Sequence, residues 1–207
     1  HNLPAHRESM DQMFLTKLSL DDFKKLQAYL PPKGSVDNEL SRISLVFAAY
    51  QAGLCVSANM SLGGFDTHKD NDAEQRKALI PFLQRVDSFM EYADTLGIRE
   101  RIVVVLGSEF SRTPKYNSGR GKDHWSVGSM MMMGPGIRGN RVLGKTDEGQ
   151  RSLKVDPTTL TFSEAQDAIA LKPEHIHHAL RRFAGVEQHP YATTKFRIEA
   201  EELPIFS

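Results

Sequence analysis

The stretch "NDAEQRKALIPFLQRVDSFMEYADTLGIRERIVVVLG", residues 71–107, joins a helix pattern to a strand pattern. Residues 71–97 place apolar side chains at helical spacing, with an Asp-rich start and a glycine after the end, which predicts an amphipathic helix. Residues 101–107 are apolar and β-branched, as in a strand covered on both faces. The run "LCVSANMSL", 54–62, precedes the helix and is a candidate strand. Strand, helix and strand form a βαβ unit, which predicts a parallel sheet.

The rest of the chain fits the same class. Helix patterns cover residues 9–30, 37–52 and 173–186, and "SMMMMG", 129–134, is a third apolar strand candidate. No internal repeat or domain boundary is evident. The sequence therefore predicts a single α/β domain over residues 1–207, with a mostly parallel sheet sandwiched by helices.

Composition excludes several functions. The chain has 207 residues with 26 Lys+Arg and 26 Asp+Glu, so the formal charge is zero and gives no support for a nucleic-acid partner. One cysteine, Cys55, excludes an intrachain disulfide. No apolar run approaches the length of a transmembrane helix, so no membrane span is expected. The start "HNLPAHRESM" has neither an initiator Met nor a signal peptide, which indicates a processed or truncated chain.

Three polar clusters follow the predicted strands or lie beside them. Asp66 and His68 come after the run 54–62, Glu109 comes after Gly107, and His124 lies in "GKDHW" before the Met-rich strand. Functional groups gather at the carboxyl ends of strands in open α/β sheets, and residues i and i+2 of an extended segment face the same side. The pattern predicts that Asp66, His68, Glu109 and His124 bind Zn²⁺, Mn²⁺ or another divalent ion.

The neighbouring polar residues suit an anionic substrate. Arg112 has the fork geometry that holds a tetrahedral oxyanion, and Asn117, Lys122 and Asp123 are further candidates for substrate binding. A bound metal would polarise a phosphoryl or sulfuryl oxygen. Simpler interpretations stay open. The Asp-x-His pair is also typical of turn capping, and "HIHH", 175–178, is interpreted as a solvated helix face rather than a ligand set.

The motifs "GGFDTH", "SEFSRTP" and "DHW", followed by a strand and "GPGIRGNRVLGKTDE", resemble the bacterial family called domain of unknown function 1501. The resemblance covers most of the chain. That family is similar to the alkaline phosphatase and sulfatase superfamily. The resemblance implies a parallel-sheet α/β sandwich and one or two divalent metals, Zn²⁺, Mn²⁺ or Ca²⁺. It also implies hydrolysis of phosphate or sulfate esters by a Ser, Thr or formylglycine nucleophile.

The resemblance assigns roles residue by residue. Asp66 and His68 match a metal-binding Asp and His of the superfamily, where the spacing is usually longer. Glu109 stands where the superfamily has a metal-binding Asp, and Phe110 takes the place of a His ligand. His124 resembles the last metal-binding His.

The superfamily places its nucleophile and one metal-binding Asp on a first strand near the N-terminus. No candidate nucleophile precedes Asp66, so the resemblance implies an N-terminally truncated copy whose nucleophile lies outside this chain. Export signals in the family imply a periplasmic or cell-surface location. The expected function is metal-dependent hydrolysis of a small anionic phosphate or sulfate ester. The alternative is a non-catalytic surface or periplasmic binding or scaffold protein, which Phe110 and the missing nucleophile favour.

Overall fold

The computed structural model describes residues 20–206. In this part of the chain the helices are α1 (Leu20–Gln27), α2 (Asn38–Gln51), α3 (Asn71–Thr95), α4 (Pro173–Phe183) and α5 (Pro190–Thr193). The helices predicted over 37–52, 71–97 and 173–186 are thereby confirmed. Residues 9–19 of the helix predicted over 9–30 lie outside the described residues.

Helix α3 begins and ends as its sequence predicts. Asp72 and Glu74 lie in its first turn, where carboxylates interact favourably with the exposed N–H groups. Gly97 has φ 65° after the helix, a conformation that glycine adopts at little cost. The N–H of Ile98 donates to the carbonyl of Ala93 at 3.1 Å, which completes a Schellman-type end.

The strands are short and pair in twos. They are β1 (Val104–Leu106), β2 (Ser111–Arg112), β3 (His124–Trp125), β4 (Met131–Met133), β5 (Lys154–Val155) and β6 (Ile169–Ala170). Among residues 20–206 the named strands form the pairs β1–β4, β2–β3 and β5–β6, each antiparallel. The predicted α/β fold, a mostly parallel, alkaline phosphatase-like sheet sandwiched by helices, is therefore wrong.

The error has a local cause. Residues 54–62 form no strand, so the predicted βαβ unit lacks its first member. Residues 101–107 and 129–134 do contain strands, but Val104 lies opposite Met133 and Leu106 opposite Met131, in antiparallel register. A parallel pair needs a long crossover, usually a helix, whereas the segment between β1 and β4 contains the hairpin β2–β3.

Contacts between Cα atoms divide the chain into two compact units. Within the described residues, unit 1 comprises 20–65 and 75–99, and unit 2 comprises 66–74 and 100–206. The expectation of a single domain over residues 1–207 stays a prediction. No helix within residues 20–206 combines the length and the apolarity needed to cross a bilayer.

Aromatic packing holds unit 1 together. Phe47 of α2 is 2% exposed, and its ring centroid lies 4.7 Å from that of Phe89 and 5.3 Å from that of Tyr92, both on α3. Such pairs contribute about 0.5–1.5 kcal/mol beyond the area they bury. Leu79 and Leu83, which the helical spacing assigns to the buried face, are 43% and 53% exposed.

The apolar core of unit 2 draws on residues far apart in sequence. Leu143, Leu171 and Phe206 pack around it. Its buried members, from β5, the following turn, α4 and the end of the chain, are Val155, Leu160, Ala179, Leu203 and Ile205.

The start of α4 is fixed by a buried histidine. His175 is 2% exposed, its Nδ1 accepts from the N–H of Lys172 at 3.0 Å, and its Nε2 donates to Glu201 Oε2 at 2.9 Å. The hydrogen bond from His175 lowers the pKa of Glu201. The interpretation of "HIHH" as a solvated face is therefore wrong for His175, although His177 is exposed.

Replacing Leu203 by Ala should destabilise the protein by about 2–4 kcal/mol, since it leaves a cavity in a packed cluster. Urea unfolding followed by circular dichroism measures this. Val142→Ala is the matched control, because Val142 is 90% exposed, and it should change the unfolding free energy by less than about 0.5 kcal/mol. Equal effects of the two substitutions would contradict the assignment of the chain end to the core.

Candidate metal centre

A hairpin presents the polar side chains of "SEFSRTP" and "DHW" to each other. In the pair β2–β3, Arg112 lies opposite His124 and Ser111 opposite Trp125. The N–H of Thr113 donates to the carbonyl of Asp123 at 2.9 Å, and the N–H of Asp123 donates to Thr113 Oγ1 at 3.1 Å. Directly opposed residues in a strand pair are close enough for their side chains to interact.

The Asp-Thr-His segment is fastened to the loop before β3 by its backbone. The N–H of Lys122 donates to the carbonyl of Thr67 at 3.1 Å, and the N–H of Asn71 donates to the carbonyl of Arg120 at 3.0 Å. Gly121 is buried between them, and a Cβ there would lie 1.9 Å from the carbonyl oxygen of His68. Only glycine permits this approach.

Three of the predicted ligands converge on one point. The distance from His68 Nε2 to Asp66 Oδ1 is 3.0 Å, from His124 Nε2 to Asp66 Oδ1 3.1 Å, and between the two Nε2 atoms 3.2 Å. Among the described residues, Asp66, His68 and His124 form a group whose ligand atoms lie close enough together to hold a metal ion. We call this group the D66–H68–H124 cluster.

The two ring nitrogens of His68 face two different carboxylates. Its Nδ1 lies 2.9 Å from Asp123 Oδ1, and since a carboxylate only accepts, Nδ1 is the donor of this bond, which lowers the pKa of Asp123. In a neutral ring Nε2 then has a lone pair, and this lone pair faces Asp66 Oδ1. Such an arrangement needs a positive charge at the centre, supplied by an extra proton or a cation.

Arg112 supplies part of that charge. Its Nη2 donates to Asp66 Oδ1 at 2.7 Å, its Nη1 donates to the carbonyl of Lys122 at 3.0 Å, and Nη1 lies 3.5 Å from His68 Nε2. The hydrogen bond from Arg112 is the largest cause that lowers the pKa of Asp66, to about 2, and the hydrogen bond from His124 is the next largest. Asp66 is therefore a carboxylate at neutral pH, which is the protonation state that a bound cation would require.

Asn117 orients the second carboxylate. Its Nδ2 donates at 3.1 Å both to Asp123 Oδ1 and to the carbonyl of His68. Its Oδ1 accepts from the N–H groups of Gly119 and Gly121 at 3.0 Å. Asn117 and Asp123 both contact His68 in this structure. Their predicted role in substrate binding stays a prediction.

Phe110 supports the other imidazole. Its ring stacks on His124, with the centroids 3.9 Å apart and the planes 24° apart. The Arg112 guanidinium carbon lies 5.7 Å from the centre of the Phe110 ring. Phe110 therefore packs against one of the two imidazoles of the cluster.

The side chains of two predicted residues, Glu109 and Lys122, do not contact the cluster in the hydrogen bonds described above. Glu109 is exposed and is not part of the D66–H68–H124 cluster, so its role as a ligand stays a prediction. Lys122 places its Nζ 4.9 Å from the ring centre of Tyr116, whose hydroxyl donates to Asp72 Oδ1 at 2.7 Å.

The cluster lies at an open surface. The side chains of Asp66, His68 and His124 are 71%, 46% and 50% exposed. A cavity of about 480 Å³ in unit 2 is lined by residues between 178 and 202, none of which belongs to the cluster. The chemistry of the ligand atoms, rather than an enclosed cavity, identifies the candidate site.

Comparison with known families agrees with the motifs. Residues 49–174, more than half of the chain, match the family described as protein of unknown function (DUF1501). The chain belongs to the DUF1501 family. Searches of curated proteins and of solved structures found no match for it.

The matched region of this DUF1501 chain contains the whole cluster and the residues that support it. Sequence reasoning missed the backbone pairing at Gly121, the bonds of Asn117 and the stacking of Phe110 on His124. The glycines of "SGRGKDHW" were the available signal, because they allow another backbone segment to approach closely.

Replacing Gly121 by Ala should destabilise this DUF1501 protein by about 3 kcal/mol, since the new Cβ meets a backbone oxygen that cannot move aside cheaply. Urea unfolding measures the loss. Gly139→Ala is the control, because nothing lies within 4 Å of a Cβ there, and it should stay within about 0.5 kcal/mol of the wild type. A fully stable Gly121→Ala protein would refute the close approach of His68 and Gly121.

Proposed function

We propose that this protein is a metal-dependent hydrolase of phosphate or sulfate esters. The observation that carries the proposal is the near-equilateral triangle of Asp66 Oδ1, His68 Nε2 and His124 Nε2, with sides of 3.0–3.2 Å. Ions with bonds of ~2.0–2.2 Å to nitrogen and oxygen hold neighbouring ligand atoms ~2.8–3.6 Å apart. The donor set of two imidazoles and a carboxylate suits Zn²⁺ or Mn²⁺, and Ca²⁺ less well.

Neighbouring residues prepare the ligands. Asp123 accepts the Nδ1 proton of His68 and thereby directs the Nε2 lone pair into the cluster, as in the carboxylate–histidine pairs of metal sites. Asn117 holds Asp123, and Phe110 holds the ring of His124 by stacking. A divalent cation bound here would supply Lewis acidity toward an ester oxygen.

The charges favour an anionic substrate. Asp66 and Asp123 are negative and Arg112 is positive, so a bound divalent cation leaves the group with a net positive charge. Arg112 lies beside the cluster and can donate two parallel hydrogen bonds to a tetrahedral oxyanion. Lys122 remains a candidate for the same anion.

The link to the alkaline phosphatase and sulfatase superfamily is part of this proposal and rests on the motifs "GGFDTH", "SEFSRTP" and "DHW". It gains no support from the antiparallel strand pairs. The periplasmic or cell-surface location is proposed on the same resemblance. The stacking of Phe110, where a ligand would stand, favours the second candidate, a non-catalytic binding protein on which the metal serves recognition.

Metal content is the first test. Purified protein dialysed against Zn²⁺ or Mn²⁺ should hold about one ion per chain, measured by elemental analysis, because three ligands meet at one point. His68→Ala and His124→Ala should each lose it. His177→Ala is the matched control, since His177 is exposed on α4, and it should keep the ion.

Glu109→Ala distinguishes a three-residue site from the four-residue set that the sequence predicts. A site made by the cluster keeps its metal in this variant. Asp123→Asn should weaken metal binding by roughly 10- to 100-fold, as for other supporting carboxylates. Unchanged metal content in the His68 and His124 variants would refute the site.

Turnover separates the two candidate functions. Aryl phosphates and aryl sulfates are incubated with the protein and Zn²⁺, Mn²⁺ or Ca²⁺, and release of the phenol is followed by absorbance. A hydrolase shows metal-dependent release that His124→Ala abolishes. Metal binding without release would favour the non-catalytic alternative.

A further inference from the structure

We propose that Arg112 is exchanged between two partners: it binds Asp66 when the cluster lacks a metal, and it turns to the substrate oxyanion when a divalent cation binds. Metal and oxyanion would then bind cooperatively. This inference rests on the proposed function and adds a regulatory property to the same site.

The guanidinium of Arg112 contacts the same atoms that a metal would use. Nη2 lies 2.7 Å from Asp66 Oδ1, and Nη1 lies 3.5 Å from His68 Nε2. The Nε2 atom of His124 lies 3.1 Å from the same Asp66 Oδ1. A cation among these atoms therefore competes with Arg112 for Asp66, and the two positive charges repel each other.

The guanidinium of Arg112 makes a second hydrogen bond, to the backbone, that would keep it beside the cluster. Nη1 donates to the carbonyl of Lys122 at 3.0 Å, and the side chain is only 13% exposed. If Asp66 shifts to the cation, Nη2 stays beside the cluster and within reach of a group bound to the cation. A phosphoryl or sulfuryl group at the cation offers oxygens at that place, and a guanidinium binds them through two parallel donors.

The exchange predicts a coupling between two ligands. The metal takes Asp66 from Arg112, and the oxyanion then satisfies Arg112, so each ligand raises the affinity for the other by the same factor. Without the arginine, metal binding would meet less competition and oxyanion binding would gain less from the metal.

Isothermal titration with Mn²⁺ tests the competition. Arg112→Gln should bind Mn²⁺ roughly two- to fivefold more tightly than the wild type, the range expected when an ion pair with an exposed carboxylate no longer opposes the metal. Arg120→Gln is the matched control, because it also removes one positive charge, but from an arginine that pairs with Asp70 instead of Asp66. Its Mn²⁺ affinity should equal that of the wild type.

Titration with inorganic phosphate, and separately with sulfate, tests the coupling in the unmodified chain. Saturating Mn²⁺ should raise the affinity for one or both anions by at least about fivefold. The anion that responds more strongly identifies the ester class. In Arg112→Gln the factor should fall toward one, and in Arg112→Lys, which keeps the charge without the fork, it should be intermediate.

The outcomes separate the two proposals. Weaker or unchanged Mn²⁺ binding by folded Arg112→Gln would overturn the exchange and leave the metal site standing, because Arg112 would then only orient Asp66. Equal anion affinity with and without Mn²⁺ in the wild type would overturn it without any variant. A wild-type chain that binds no divalent cation would overturn both proposals.

Discussion

The candidate site depends on the contact between two backbone segments, residues 66–71 and 117–122. Hydrogen bonds from Lys122 to Thr67 and from Asn71 to Arg120 join them, and Gly121 allows the backbone of His68 to come into direct contact. Without this contact, Asp66 and His68 would lie on one part of unit 2 and Arg112 and His124 on another. The backbone pairing brings the cluster together, and the stacking of Phe110 on His124 and the bond between Asp123 and His68 then orient the two imidazoles.

Around that contact the polar groups are arranged by charge. Two carboxylates, two imidazoles and one guanidinium meet within hydrogen-bonding distance, and Asn117 ties one carboxylate to the backbone. Asp123 accepts a hydrogen bond from Nδ1 of His68, and the other ring nitrogen is the atom that we propose as a metal ligand. Arg112 neutralises part of the negative charge of Asp66, and the proposed metal would do the same. For this reason we propose that the binding of the cation and the binding of an anion are coupled.

The longer helices could be predicted from the sequence, whereas the short helix α5 and the pairing of the strands could not. Helix α3 carries its own signals, acidic residues in the first turn and Gly97 after the last, and these act within a few residues. The strands β1 and β4 were also visible as apolar runs. Their antiparallel pairing depends on the path of the chain between them, where a hairpin replaces a crossover helix. The mixed polarity of residues 54–62 allowed a strand in the sequence, but no partner strand pairs with them among the described residues.

The sequence by itself determined the chemical types at the site and the local relations among them. Asp66 and His68 stand two residues apart, and Arg112 and His124 lie in motifs that assign the chain to its family. Only the tertiary structure decided which residues act together: it brought His124 to Asp66 and His68, set Asp123 behind His68, stacked Phe110 on His124 and left Glu109 outside the group. The reason is physical, because a residue type is written in the chain, whereas a coordination geometry requires distances of a few ångströms between segments some fifty residues apart.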